Sequence, residues 1–403
     1  MARLAANRKR EREVQTAITA DAALHAIGAS YDWLQALAPV NAGRIWRDLC
    51  RGSPREPVLE YAPLGIDTDR LRRELFAIPI EDLGDPLLEA LLREKQLEIE
   101  RQLRMLSLRD TAGFLQASLD LFGDADAELV AHAERIVASP ADPCGPGNSE
   151  PCVEAAELAA HAEAELAGYR EKYPGFPVRV SIREDVTAGI MVSGPEVRIS
   201  KHVQVKESRV EPLLHHEIGT HVLTYYNGLA QPIKQFSTGL AHYDALQEGL
   251  GVLAEIVTGG LSAARLRTLA ARVIAVRHRV DGASFIETFR SLVAECGLQK
   301  RGGFLTALRA FRGGGLTKDV VYLRGLGGLL AYLAEGHAIE PLYLGKFALE
   351  ELSAVNELRR RGVLAPPRAL PRWLDGEGGH DRLERWRGTT LAGLYQRSSG
   401  EET

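Results

Sequence analysis

Cysteine, long apolar runs and an excess of either charge are all scarce in this sequence of 403 residues. Its 4 cysteines, Cys50, Cys144, Cys152 and Cys296, are too few and too scattered for a disulfide framework. Cys144 and Cys152 flank a loop rich in proline and glycine, and their spacing does not suit a structural zinc knuckle. We therefore expect free thiols in a reducing compartment.

The sequence also lacks the features typical of proteins that bind membranes or nucleic acids. No run approaches the ~18 apolar residues that a membrane-spanning helix needs. The basic residues Arg8-Lys9-Arg10 are not followed by the apolar segment of a secretory signal. A formal net charge of -5 provides no strong overall attraction to nucleic acid. These features predict a cytoplasmic protein with no nucleic-acid or membrane partner, and they leave its oligomeric state unknown.

Helical periodicity dominates the residues that are present. Residues 1–139 are predicted to form an N-terminal helical region, with its strongest amphipathic stretch from Asp85-Pro86 to about residue 106. Further helices are predicted over 111–121 and 126–137. A segment rich in proline and glycine then predicts a linker or a long surface loop over 139–152. Residues 153–403 form the predicted catalytic region, and the two regions are compatible with one packed unit.

The period changes after a helix predicted over residues 153–173. Short alternating segments at 178–182, 190–192 and 197–199 predict a small antiparallel sheet with an open edge. Almost everything after residue 210 has helical periodicity. The expected fold class is therefore α+β and predominantly helical, with the small antiparallel sheet beside the helix that follows it.

The helix after the sheet carries His216-Glu217-Ile218-Gly219-Thr220-His221, an H-E-x-x-x-H pattern. Zinc peptidases commonly carry H-E-x-x-H, in which both histidines lie on one face. Residues five apart lie ~140° apart on a regular α-helix, so His216 and His221 could not share one ion. A π-bulge absorbs the extra residue, and Gly219 makes such a distortion cheap.

Most arbitrary matches to this pattern are amphipathic helices with exposed histidines. The preceding sheet and a later acidic helix favour the metal interpretation here. His215 is interpreted as a neighbour of the site, because even a bulge leaves it on another face. A third ligand is required, since catalytic zinc keeps three protein ligands and a water. The candidates on the later helix are His242, Asp244, Glu248 and Glu255.

Glu248 is the preferred third ligand, because the adjacent Gly249 permits close approach. Asp244 and Glu255 are expected on the same face. They either orient a ligand histidine or are ordinary solvated acids.

His216-Glu217-Ile218-Gly219-Thr220-His221 followed by Gln247-Glu248-Gly249-Leu250 resembles the family of tubulin tyrosine carboxypeptidases. Its bacterial relatives carry a Q-E-G-L-A motif, in which this chain has Gly251 in place of alanine. The likeness extends over residues 111–123 and over Tyr322-Leu323-Arg324-Gly325, and so covers most of the chain.

The resemblance implies a gluzincin-like zinc metallopeptidase that acts as a carboxypeptidase. It implies Zn²⁺ on His216, His221 and Glu248, with Glu217 as the catalytic base. Eukaryotic members remove tyrosine or glutamate from tubulin tails. A peptide or protein C-terminal tail is therefore the expected substrate, and its identity is left open.

The proposed chemistry needs two more groups. A tetrahedral oxyanion needs a donor besides zinc, and Tyr322, His242 and Tyr243 are candidates by residue type. Among them, Tyr322 is the expected catalytic residue. A terminal carboxylate suits a bidentate arginine, and Arg324 is the first candidate because it lies in an otherwise apolar helix.

An equally good interpretation of Arg324 is a residue that caps or bridges helices. Lys201, Arg198 and Arg209 remain alternatives near the strand edge, where an extended substrate could add by backbone hydrogen bonding. Two other functions stay open. One is a zinc-dependent amidase, which needs the same groups. The other is a non-catalytic zinc-binding regulatory protein, against which the intact Glu217 argues.

Overall fold

The computed structural model describes residues 2–52, 55–139, 150–184, 186 and 189–398. Helices make up 63% of the structure, which confirms the predominantly helical α+β class. The gluzincin-like assignment stays a prediction. Cys144 lies outside the described residues, as do the side chains of Arg8, Lys9 and Arg10. No helix within the described ranges combines the length and apolar character needed to cross a bilayer.

The N-terminal helices begin where their capping residues predict. Asp85 accepts hydrogen bonds from the backbone N–H groups of Leu87 and Leu88, and Pro86 takes the first helical position. Asp126 caps a later helix in the same way. The predicted helices are thereby confirmed. The helices of this region are α1 (Ala2–Gly28), α2 (Trp33–Ala36), α3 (Ala42–Cys50), α4 (Thr68–Phe76), α5 (Pro86–Ser107), α6 (Phe114–Phe122) and α7 (Ala127–Ala138).

The strands form two small sheets around α8 (Ala155–Lys172). They are β1 (Cys152–Glu154), β2 (Arg179–Arg183), β3 (Ile190–Ser193), β4 (Glu196–Ser200) and β5 (Gln204–Lys206). In the larger sheet the strand order is β2-β4-β3. β3 pairs with β4 in antiparallel fashion, but β2 pairs with β4 in parallel. β1 and β5 form a separate antiparallel pair.

The expectation of a wholly antiparallel sheet is therefore wrong for β2. β4 is the most buried of the three strands, with Val197 and Ile199 fully buried, whereas β2 is largely exposed. The most apolar strand takes the centre of the sheet. Because β2 and β4 run in the same direction, this central position makes their pairing parallel. Alternation of polar and apolar residues identifies a strand but does not choose its neighbour.

The metal-motif helix has three consecutive parts: α9 (Glu207–His216), a π segment (Glu217–Val222) and α10 (Leu223–Leu229). The helices that follow are α11 (Gln235–Thr238), α12 (Asp244–Val257), α13 (Ala263–Val280), α14 (Phe285–Ala294), α15 (Lys300–Phe311), α16 (Val321–Ala334), α17 (Leu352–Arg360), α18 (Arg372–Asp375), α19 (Gly379–Glu384) and α20 (Leu391–Ser398). Short 3-10 helices cover Arg312–Gly314, Lys318–Val320, Glu340–Tyr343 and Leu349–Glu351.

The hydrophobic core holds the site from two sides. Its largest cluster combines α1, α5 and α7 with α12, α13 and α16, so it draws on both predicted regions. A second cluster joins α8, the sheet and the π segment, whose Ile218 and Val222 are fully buried. β3 and β4 both contact the π segment, so the sheet lies beside the metal-motif helix as predicted. The apolar face of that segment is thereby anchored.

Two glycines let α12 and α16 touch along their backbones. A Cβ atom on Gly325 would lie 1.8 Å from the carbonyl oxygen of Ala245, and one on Gly249 would lie 2.6 Å from the carbonyl oxygen of Gly325. No side chain fits in either place. This close packing brings Glu248 of α12 towards Tyr322, which lies one helical turn before Gly325.

Candidate metal centre

Three side chains converge between the π segment and α12. Nε2 of His216 lies 3.4 Å from Oε2 of Glu248, and Nε2 of His221 lies 3.8 Å from the same oxygen. One ligand atom from each residue lies within 4.8 Å of the other two. Ligand atoms that surround one zinc ion at ~2.0–2.2 Å are separated by similar distances. The arrangement therefore suits a single small cation.

The π segment explains how residues five apart face the same point. Its wider turn stacks residues i and i+5, where a regular α-helix would separate them. The imidazole ring centroids of His216 and His221 lie 5.0 Å apart. The prediction that this helix departs from α geometry between the two histidines is confirmed.

His216 is held by a buried carboxylate. Its Nδ1 donates to Oε1 of Glu255 over 2.8 Å, which directs Nε2 towards Glu248. Glu255 is fully buried and also accepts hydrogen bonds from Arg209 and Arg265. Burial opposes its ionisation, but Arg265 and His216 hold the pKa of Glu255 well below its usual range. A carboxylate on the far nitrogen of a ligand histidine fixes its tautomer and orientation.

His221 has a weaker support of the same kind. Its Nδ1 lies 3.4 Å from Oε1 of Gln247, which also accepts a 2.7 Å hydrogen bond from the hydroxyl of Thr224. Gln247 therefore orients one imidazole, while the next residue, Glu248, places a carboxylate oxygen close to both imidazoles. The adjacent motif residues Gln247 and Glu248 therefore both contribute side chains to the same candidate centre.

Glu217 is beside the cluster and makes no hydrogen bond to another described residue. Burial raises its pKa to about 7, against the opposing effect of a charged His216. A bound cation nearby would lower that value. A carboxylate that forms no hydrogen bond to another described residue is available to accept a proton from water, as a general base must.

The structure separates the candidates for the oxyanion donor. Tyr322 is half-buried, and its pKa is raised by burial and by the charge of Glu248. Tyr243 also lies within the influence of Glu248, whereas His242 is exposed. Asp244, a rejected ligand candidate, forms an ion pair with Lys318 instead. Tyr322 and Tyr243 both remain candidates, and the catalytic role of Tyr322 stays a prediction.

Arg324 has the structural role that the sequence left open as an alternative, which is to cap or bridge helices. Its two terminal nitrogens donate to the backbone carbonyls of Phe122 and Asp124, at the end of α6. The charges that act on it are those of Asp124, Asp126 and Glu350. It thus bridges two helices. Its role in binding a carboxylate stays an untested prediction.

The other cations considered at the sheet edge are engaged as well. Arg198 pairs with Glu196, Lys201 pairs with Glu184, and Arg209 belongs to the Glu255 network.

Several cationic side chains near the triad of His216, His221 and Glu248 had no distinguishing signal in the sequence. Arg272, Arg309 and Arg312 surround Asp319 near Tyr322, and Lys346 lies near Glu217 and Glu248. Burial lowers the pKa of Lys346 to about 8. These residues come from α13, α15, a 3-10 turn and a loop, so no local motif could have grouped them.

Comparison with known proteins gives one result that covers most of the chain. The family model described as microtubule-associated tyrosine carboxypeptidase matches residues 49–388. No curated protein and no solved structure matches. The matched range includes the π segment, α12 and α16, and therefore the whole candidate metal centre.

Proposed function

This chain belongs to the microtubule-associated tyrosine carboxypeptidase family, and from that premise we propose that it is a zinc-dependent metallocarboxypeptidase. Its proposed reaction is the removal of a C-terminal tyrosine or glutamate from a peptide or protein tail. The convergence of His216, His221 and Glu248 is the observation that carries the proposal. Cytoplasmic location remains part of it.

The donor set fits zinc. Two imidazole nitrogens and one carboxylate oxygen are typical of catalytic zinc sites, which leave a fourth position for water or substrate. The orientation of His216 by Glu255 is a further feature of such sites. When bound, Zn²⁺ supplies a Lewis acid that polarises the scissile carbonyl and acidifies its water.

The chain's own residues perform the proton transfers and the charge stabilisation. Glu217 accepts the proton of the attacking water and passes it to the leaving amine. The Tyr322 hydroxyl forms no hydrogen bond to another described residue, so it is free to donate to the oxyanion. Glu255 and Gln247 keep the two imidazoles in place.

The first prediction concerns Glu217→Gln. The amide is nearly isosteric with the carboxylate and Glu217 is not a proposed ligand, so bound zinc should stay equal to that of the parent. Turnover should fall about 10²- to 10⁴-fold, because an amide accepts no proton from water. The measurements are zinc content and mass-spectrometric cleavage of peptides that end in tyrosine or glutamate.

Glu207→Gln is the matched control, since Glu207 is exposed at the start of α9. Equal turnover in Glu217→Gln and the parent would reject Glu217 as the base. A zinc-loaded parent that cleaves only non-peptide amides would indicate the amidase alternative. A parent that binds zinc and cleaves neither class would indicate the non-catalytic alternative.

A further inference from the structure

Beside Tyr322, arginines outnumber the acids that could neutralise them. Arg309 of α15 forms a two-pronged ion pair with Asp319, at 2.5 and 2.6 Å, and so engages both carboxylate oxygens. Arg272 of α13 and Arg312 of the following 3-10 turn lie within the influence of the same pair. Neither Arg272 nor Arg312 forms a hydrogen bond to Asp319.

Arg272 and Arg312 consequently have donors without acceptors. Nη1 of Arg272 and Nε of Arg312 are buried and have no hydrogen-bond partner. No acceptor among the described residues takes a hydrogen bond from any nitrogen of these two guanidinium groups. Arg272 instead stacks on the ring of Tyr322, with its central carbon 4.4 Å from the ring centroid.

This arrangement is unfavourable unless an anion completes it. A buried donor that gives up water without gaining an acceptor destabilises the folded protein, and more so when the group is charged. Burial and the like charge of Arg309 lower the pKa of both groups, to about 10 for Arg312. By contrast, Arg265 and Arg309 nearby each make two hydrogen bonds to a carboxylate. Among the arginines around Asp319, Arg272 and Arg312 are the ones with a buried nitrogen that has no partner.

The deficit lies next to the metal triad. Tyr322, which carries Arg272 on its ring, is within the electrostatic influence of Glu248. Arg309, the neighbour of both unpaired arginines, is under the same influence. An anion held by Arg272 and Arg312 would thus be bound close to the reacting centre and beside the proposed oxyanion donor.

We propose that Arg272 and Arg312 form the subsite that binds the α-carboxylate at the C-terminus of the substrate. This proposal rests on the proposed carboxypeptidase function. Two guanidinium groups offer the planar, forked donors that a carboxylate prefers. They would restrict the enzyme to chain ends, because an internal peptide bond has no carboxylate to place there. Arg324, whose donors are engaged by α6, is not needed for this task.

The test uses full-length, zinc-loaded protein and two ligands that differ only in charge. N-acetyltyrosine has the free carboxylate, and N-acetyltyrosine amide lacks it. Calorimetric binding to the parent should favour the acid. Arg272→Gln and Arg312→Gln should each weaken binding of the acid about 10- to 100-fold, with little change for the amide. The same variants should lose kcat/KM on peptides with a free C-terminus, but not on their amidated counterparts.

Arg277→Gln is the control, because Arg277 lies on the same helix and pairs at the surface with Asp281. Arg272→Lys keeps the charge and should recover part of the preference for the acid. A purely structural role would weaken both ligands alike or lower zinc content. A parent that binds both ligands equally overturns the subsite, as does loss of the preference only in Arg324→Gln. A parent that prefers the acid but cleaves no peptide refutes the enzyme proposal while the subsite stands.

Discussion

Two groups of buried charges adjoin the metal triad, and they are built differently. In the Glu255 network, both carboxylate oxygens accept hydrogen bonds, from His216, Arg209 and Arg265. In the arginine pair, Arg272 and Arg312, buried nitrogens have no acceptor. A network that is satisfied within the protein fixes the orientation of His216. Donors that are left unsatisfied are available to a molecule that arrives from outside. The Glu255 network thus positions a residue of the site, whereas the arginine pair is the group that we propose binds the substrate.

The largest effect is expected at the contact between α12 and α16. Helix α12 carries Glu255, and α16 carries Tyr322, on whose ring Arg272 stacks. In Gly325→Ala, the new methyl group would lie 1.8 Å from the carbonyl oxygen of Ala245, so the helices must separate. This would move Tyr322 of α16 away from Glu248 of α12. We expect a loss of about 3 kcal/mol or more in the free energy of unfolding, measured by urea denaturation.

Gly328→Ala on the same helix is the matched control for that variant. Its added methyl group would meet only Leu349 Cδ2, at an ordinary 3.8 Å. Removing a helical glycine without a clash should stabilise the protein by about 0.5–1 kcal/mol. Similar stabilities for the two variants would show that α12 and α16 do not depend on backbone contact.

The next effect distinguishes the two networks directly. Glu255→Gln should weaken zinc binding about 10- to 100-fold, because the amide is a poorer acceptor for His216 Nδ1 and leaves two arginines underpaired. Asp319→Asn alters the group of arginines around Asp319. This group forms no hydrogen bond to the three proposed zinc ligands, so zinc affinity should stay unchanged. Competition with a chromophoric chelator measures both. Equal losses in the two variants would mean that the networks are not separate.

The smallest effect concerns a half-buried carboxylate that belongs to neither network. Glu351 accepts a hydrogen bond from the backbone N–H of Ala348, and no arginine in the described part of the chain forms an ion pair with it. Burial raises its pKa from the ordinary value of 4.5 to about 7. The folded state therefore binds this proton more tightly than the unfolded state, so stability falls as pH rises from about 4.5 through 7.

Glu351→Gln should remove that decline. The variant should gain on the order of 1 kcal/mol relative to the parent at pH 8, and much less at pH 5. Thermal unfolding across this range measures the difference. A gain that is the same at both pH values would show that the carboxylate of Glu351 is not perturbed. By contrast, Glu255 has cationic partners that hold its pKa low.

The locally encoded features were predictable from the sequence. Asp85 and Asp126 signal helix starts through bonds to N–H groups two or three residues away, and both helices are confirmed. The i,i+5 spacing of His216 and His221 required a departure from α geometry, and the π segment supplies it. The three ligand candidates chosen from motif spacing do converge in space. In each case the determining interaction lies within one helix or between two recognisable motifs.

Tertiary structure alone decided the remaining features. The parallel pairing of β2 with β4 depends on which strand is buried at the centre, and alternation does not encode strand order. The choice of Glu255 as the partner of His216, over a solvated acid, depends on burial and on arginines from α9 and α13. The packing of α13 and α15 places Asp319 so that it accepts hydrogen bonds from Arg309 and not from Arg272 or Arg312. These outcomes follow from long-range packing, which determines the partners and solvent access of a charged side chain.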